Sequence, residues 1–368
     1  MIYRSKNNPR NVLIRAPNWI GDQVIAYPFY YFLRRAFPTA RIRTVCVPWV
    51  ASIQYSDLVN EVTVIDVPKT RNLRARLEAT EKAAAELRSS GPWDLGISLP
   101  NSLSAAWLLF RSGCKVRRGY PGDGRALLLT DRVSGACSSE VMHRAQAYMN
   151  LLPEVAKPGV PADLFWGIPP ENDLDPGVPG VTTFDPLTSW PDAIPLVPPM
   201  GDYWCLAPGS VAESRRWSVE GFADLADRII HERGWPVLIV GGAAESTLAE
   251  QIKSKVSHPE KVIDQAGKGS AVSAFAQIFR NARFTVSNDS GLAHVASLCG
   301  SPVHVVWGAG NPNRTAPIGP GKTKLTLNPV DCWPCERNTC DREQGAIECL
   351  RLIQPETVWE EIKRGLRI

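Results

Sequence analysis

The sequence predicts an α/β protein made of two doubly wound domains, each a parallel sheet covered by helices. Three observations carry this. Short apolar runs alternate with helix-period segments along nearly the whole chain. The alternation falls into two series, separated by residues 157–200, which hold eleven prolines and no sustained period. A length of 368 residues exceeds one ordinary core and suits two domains of roughly 150 residues each. The expected divisions are a first domain over 1–175, a proline-rich linker over 176–200 and a second domain over 201–354. A cysteine-rich insertion at 332–349 and a terminal helix at 355–368 complete the plan.

In the first series the strands are "NVLIRA", "RIRTVCV", "EVTVIDV" and "DLGISL", each a short β-branched run between polar segments. Between them "PFYYFLRRAF" and "LRARLEATEKAAAELRSS" carry helical spacing. The second series has the strands "YWCLAPG", "PVLIVGG", "KVIDQAG", "FTVSND" and "PVHVVWG". Its helices are "VEGFADLADRIIHERG", "ESTLAEQIKSKV" and "SAFAQIFRNA". "PETVWEEIKRGLRI" reads as a closing helix, with Pro355 in the first turn, where its missing N–H costs nothing.

Composition narrows the class further. With 44% hydrophobic and 21% charged residues the chain reads as globular. It has no run of about 18 uncharged apolar residues that would span a membrane. The first residues are charged without a following apolar stretch, so no secretory signal is expected and the chain should stay in the cytoplasm. The net charge of +4 hides an asymmetry, +10 in residues 1–150 against −6 in the remainder. A basic half suits an anionic partner such as a phosphorylated substrate or a membrane surface, though scattered solvated charge gives the same count. The segment "AWLLFRSGCKVRRGY" fits peripheral contact with a membrane, and fits a buried core helix with a basic end equally well.

Chemistry concentrates where strands turn into helices. "RAPNWIGDQV" places Asp22 after a glycine at such a turn, where a carboxylate either caps the helix or removes a proton from a substrate. "SNDSGLAH" sets Asn288, Asp289, Ser290 and Gly291 at a helix N-terminus, whose amides and dipole attract phosphate. His294, four residues beyond Ser290, shares its helix face. In "APGSVAESRRW" Gly209 and Ser210 make a tight turn, and Arg215 and Arg216 offer guanidinium groups suited to a diphosphate or to solvent. "VGGAAE" brings Gly241, Gly242 and Glu245, a carboxylate for ribose hydroxyls or for a helix cap. Three such loops at strand ends of one domain point to a nucleotide diphosphate. "GPGKT" at 319–323 imitates a P-loop, but Ala316 stands where the first glycine is required and a strand follows. "DLD" at 173–175 imitates a metal pair inside the proline-rich stretch. No Gly-x-Gly-x-x-Gly opens either domain, which speaks against a dinucleotide dehydrogenase.

In order along the chain, "IRAPNWIGDQVIAYPFYYFLRRAFP", "ISLPNSLSAAWLL", "RRGY", "APGS…SRRW" and "SNDSGLAHVASLCGSPVHVVWG" resemble the bacterial ADP-heptose:lipopolysaccharide heptosyltransferases, most closely their type II branch. The resemblance implies the GT-B architecture: two Rossmann-like domains facing across a cleft, acceptor on the first and nucleotide sugar on the second, with the terminal helix at 355–368 crossing back to the first domain. It implies an inverting transfer of heptose from ADP-L-glycero-D-manno-heptose to the lipopolysaccharide inner core, with no cofactor and no divalent metal required. Carried over by position, Asp22 falls on the family's general base. Gly209, Ser210, Arg215, Gly242, Glu245, Asn288, Asp289, Ser290, Gly291, Leu292 and His294 fall on donor-binding positions. Arg215 stands where relatives often carry lysine. Trp19, Gly21 and Ser102 fall on the acceptor side, Ser102 being equally suited to cap a helix. The partners implied are ADP-heptose and an anionic lipopolysaccharide core, with no nucleic acid. A protein-glycosylating heptosyltransferase of the autotransporter type and a silent nucleotide-sugar binding module are the competing readings.

Of nine cysteines, Cys46, Cys114, Cys137, Cys205 and Cys299 lie in apolar segments and read as packing residues. Cys332, Cys335, Cys340 and Cys349 follow a C-x2-C-x4-C-x8-C spacing that suits a structural zinc or iron site, with free thiols or disulfides as the alternatives.

Overall fold

The computed structural model describes residues 8–66, 73–134, 142–158, 184–191, 194–343 and 346–366. The chain divides into two compact units. One comprises Met1–Phe165 with Leu187–Pro191, the other Trp166–Pro186 with Asp192–Ile368. The "DLD" aspartates and Cys137 lie outside the described residues.

The first unit is a six-stranded parallel sheet of order β3-β2-β1-β4-β5-β6. Its strands are β1 (Asn11–Arg15), β2 (Arg41–Cys46), β3 (Glu61–Val64), β4 (Leu95–Ser98), β5 (Val116–Gly119) and β6 (Asp131–Arg132). The β1 residues Val12, Leu13 and Ile14 are fully buried, as expected for a central strand covered on both faces. Helices α1 (Ile20–Ile25), α2 (Tyr27–Ala36), α3 (Leu73–Ser89), α4 (Leu103–Arg111) and α5 (Arg144–Asn150) cover it. Strands β5 and β6 escape the sequence pattern because their residues are charged. Arg118 of β5 and Asp131 of β6 form a buried ion pair at 2.6 Å instead of an apolar contact. Helix α4 turns Ala105, Ala106, Leu108 and Leu109 inward and leaves Leu103 and Phe110 exposed, so "AWLLF" is a core helix with a partly apolar outer face.

The second unit repeats the plan in the order β12-β11-β10-β7-β8-β9. Its strands are β7 (Trp204–Ala207), β8 (Val237–Ile239), β9 (Val262–Asp264), β10 (Thr285–Asn288), β11 (Val303–Trp307) and β12 (Thr323–Leu327). The "GPGKT" stretch runs into strand β12, as no P-loop does. The terminal helix Pro355–Leu366 does not leave this unit. Val358, Trp359 and Ile362 form its buried stripe and join the core beside Trp204, Phe222 and Phe284, because an amphipathic face is stable only where apolar side chains meet it. That corrects the expected crossing back to the first domain.

Candidate functional site

Each sheet reverses its winding between its first and fourth strands: β1 and β4 in one unit, β7 and β10 in the other. Ligands of doubly wound sheets bind at such switch points, beyond the carboxyl ends of the strands. The chemistry-bearing loops lie there in both units.

In the second unit the loops after β7, β8 and β10 are tied together. Ser210 donates its hydroxyl to the Asp289 carbonyl at 3.0 Å. Glu245 fills the space beside Gly209 and Gly241; a Cβ at Gly209 would stand 2.6 Å from its Cγ, so only glycine lets these loops approach. Glu245 also accepts from the Gly242 amide at 2.8 Å, which makes it a cap of its own turn before any ligand arrives. Asn288, expected among the donor contacts, spends both ends of its buried side chain on the protein. It accepts from the Trp217 amide at 3.0 Å and donates to the Pro208 carbonyl at 2.6 Å. It fastens the β7 loop rather than facing a ligand.

Arg215 and Asp289 form the charged centre of this site, with Nη1 and Oδ2 3.2 Å apart. Burial drives the Asp289 carboxyl up to about 6, against the pull of Arg215 and with a further push from Glu336. Gly310 allows this carboxylate its place, since a Cβ there would lie 2.3 Å from Oδ2. Ser290 caps the helix Gly291–Leu298 in an extended conformation without a side-chain bond to its amides; its hydroxyl lies 3.1 Å from that of Ser287. The N-terminal amides of this helix are therefore not taken up by Ser290, and the helix presents partial positive charge beside Arg215. Leu292 is half-buried and His294 buried on the same helix.

In the first unit Asp22 is the third residue of α1. The helix cap is Trp19, which makes no side-chain capping bond, so Asp22 is not spent on capping. Its side chain is only 15% exposed and lies 3.5 Å from Nη1 of Arg144. Burial raises its proton affinity above that of a free carboxylate, and Arg144 partly offsets the rise. Around it the loop is well braced. Arg15, buried at the end of β1, donates to Asn18 Oδ1 at 2.6 Å, and the Trp49 indole donates to the Asn18 carbonyl at 2.6 Å. Trp19 and Trp49 are 60% and 40% exposed, large indoles open to solvent beside the carboxylate loop. Gly21 lies in α1 between Trp19 and Asp22. Ser102 follows β4 and accepts from the Ala105 amide at 3.2 Å, the helix cap that sequence allowed.

Arg144, Trp49 and Gly310 were not legible as site residues. Arg144 is separated from Asp22 by 122 positions, and no motif marks Trp49 or Gly310.

The four late cysteines gather without closing. Cys332 is exposed and Cys335, Cys340 and Cys349 are half-buried. Burial and the proximity of the other three thiols raise the Cys349 thiol. Among the described residues, no group of three or more His, Cys, Asp or Glu side chains is placed to hold an ion, so the metal reading of the spacing is not supported. The loop that carries them braces the donor side instead. The Ser214 amide donates to the Asn338 carbonyl at 3.1 Å, and the Glu336 amide to the Ala309 carbonyl at 2.9 Å. Among the described residues no helix is long and apolar enough to cross a membrane.

The fold matches the solved ADP-heptose lipopolysaccharide heptosyltransferase II of E. coli with a TM-score of 0.70 at 21% identity, covering 97% of this chain and 98% of that one. Two such doubly wound parallel sheets make up the GT-B architecture. A profile of glycosyltransferase family 9 (heptosyltransferase) matches residues 82–345, and the chain belongs to that family. In sequence it is similar to lipooligosaccharide heptosyltransferase 2 of Haemophilus influenzae, 26% identical over 97% of this chain and 99% of that protein. Lipopolysaccharide heptosyltransferase 2 of Escherichia coli K12 is also 26% identical, over 95% and 97% respectively.

Proposed function

We propose that the protein transfers heptose from ADP-L-glycero-D-manno-heptose to the anionic inner core of lipopolysaccharide, with inversion at the anomeric carbon. The observation that carries this is the convergence of three strand-end loops on the Arg215–Asp289 pair at the switch point of the second sheet. Arg215 and the first amides of the helix Gly291–Leu298 receive the diphosphate, and Glu245 can turn from its own loop to the ribose. Asp22 accepts the proton of the acceptor hydroxyl as that oxygen bonds to the anomeric carbon. The bond from that carbon to the phosphate oxygen breaks, and ADP leaves with the electron pair. Positive charge already fixed in the second unit meets the charge developing on ADP, so no metal is assigned a step.

A positioned base contributes on the order of 10²–10⁴-fold to such a step. Trp19 and Gly21 belong to the acceptor side, and the +10 balance of residues 1–150 suits the carboxylates and phosphates of the inner core and of a membrane surface at the cytoplasmic face. The loop that carries the four cysteines serves as bracing for the donor loops. The test is incubation with ADP-heptose and a defined inner-core acceptor, with ADP release and the product's anomeric configuration as readouts. ADP release with sugar found only on a protein acceptor, or no release with any acceptor, overturns the proposal.

A further inference from the structure

Asp22 sits where burial opposes its charge, and a base that is protonated at working pH accepts nothing. What keeps it ionised must come from its surroundings. Among the described residues, helix α1 packs chiefly against three elements. The turn Pro48–Ile53 has no charged residue. The first turn of α2 brings tyrosines and no charge, and its Arg34 and Arg35 lie in the last turn, Arg34 being bound to the carbonyls of Leu58 and Ala40. The third element, α5, brings Arg144, with His143 as its N-cap accepting from the Ala145 amide.

Helix α5 is itself held rigidly. The Tyr120 hydroxyl donates to the Ala147 carbonyl at 2.7 Å. Beyond its C-terminus the buried Arg118 donates to the Leu151 and Leu152 carbonyls at 2.8 and 3.0 Å while paired with Asp131. The buried ion pair of β5 and β6 therefore fixes the helix that delivers Arg144.

We infer that Arg144 is the positioning residue of Asp22: its guanidinium, 3.5 Å from the carboxylate and carried on a helix locked to β5, holds that carboxylate ionised and oriented for proton acceptance. Arg144 acts through Asp22 and takes no proton itself. The inference rests on Asp22 being the base. The pair is loose enough for the carboxylate to turn toward a hydroxyl, which a short bidentate pair would forbid.

The test is the pH dependence of kcat and kcat/KM for Arg144→Met and Arg144→Lys in the full-length enzyme, with Asp22→Asn as the reference. In Arg144→Met, kcat at neutral pH falls about tenfold or more, and the acidic limb of kcat/KM moves upward by about one pH unit, a tenfold change in proton affinity. Raising the pH recovers much of the lost rate, ADP-heptose KM stays near the parent value, and Arg144→Lys falls between. A limb that stays in place with parental kcat overturns the positioning role. So does a rise confined to acceptor KM, which would make Arg144 a substrate contact. If Asp22→Asn keeps full activity, the base assignment has failed. If Asp22→Asn is inactive while Arg144→Met behaves like the parent, only the positioning role has failed. Helix α5 is anchored by Tyr120 and Arg118, which the variants keep, and a thermal melt checks that they fold.

Discussion

Arg215 Nη1 lies 3.2 Å from Asp289 Oδ2, across two loops that leave neighbouring strands β7 and β10. The carboxylate is almost wholly buried and the guanidinium about a quarter exposed, so the pair presents its positive half outward. A diphosphate approaching the helix Gly291–Leu298 meets a cation already held in place. Arg215→Ala should raise the KM for ADP-heptose by about 10–100-fold, the loss of a charge-assisted contact of roughly 1.5–3 kcal/mol. Arg215→Lys should recover part of it, since it keeps the charge but loses the planar fork. Steady-state kinetics with varied donor separate the three cases; an unchanged donor KM in Arg215→Ala removes the residue from the site.

The same pair predicts a pH dependence of stability. Asp289 is raised from an ordinary 3.8 to about 6. Between those values the folded chain keeps a proton that the unfolded chain has released, so ionising Asp289 weakens the fold. Its contribution to stability is greatest at low pH and declines as pH rises through about 6. Asp289→Asn should flatten that part of the profile and stabilise the protein at pH 7 by about 1–3 kcal/mol. Urea unfolding at pH 5 and pH 7 checks it: a variant destabilised equally at both shows that the carboxylate is held by favourable contacts instead.

Asn288 separates bracing from ligand contact. Its side chain satisfies the Trp217 amide and the Pro208 carbonyl, both among buried neighbours of the second core. Asn288→Ala leaves one donor and one acceptor unpaired and should cost about 2–4 kcal/mol of stability. Asn288→Asp can still accept from the amide but cannot donate to the carbonyl, and should fall between. Denaturant unfolding measures the loss. A stable Asn288→Ala protein with a raised donor KM would return the residue to the ligand-binding set.

Much of this was legible because strand and helix periods survive burial. Val12–Ile14 and Val303–Trp307 read as strands and are buried strands. The loops did too, since Gly209, Ser210 and "SNDSG" sit where a strand ends and a helix begins. What stayed hidden was partnership. Arg118 and Arg144 look like surface charge until Asp131 and Asp22 are brought to them by the fold. The cysteine spacing does bring the four thiols near one another, but the chain between them is bonded to Ser214 and Ala309 and leaves Cys332 in solvent, so no ion site closes among the described residues. Short-range pattern reports which element a residue is on, and only tertiary contact reports what its polar end is doing.

Asp22 allows a prediction in which stability and activity move apart. A buried carboxylate whose proton affinity is raised is, by the same linkage, a burden on the fold at neutral pH. Asparagine keeps the shape of the side chain and removes the charge. Asp22→Asn should therefore melt at the parental temperature or above it, and should bind ADP-heptose as the parent does, because the donor loops belong to the other unit. Its kcat should nevertheless fall on the order of 10²–10⁴-fold, the contribution of a positioned base. Residual activity should lose the acidic limb that ionisation of Asp22 gives the parent, because no carboxylate is left to titrate. A structural role for Asp22 predicts the opposite signature: a lowered melting temperature, with activity lost only in proportion to the protein unfolded. Calorimetry beside transfer kinetics on one preparation distinguishes the two.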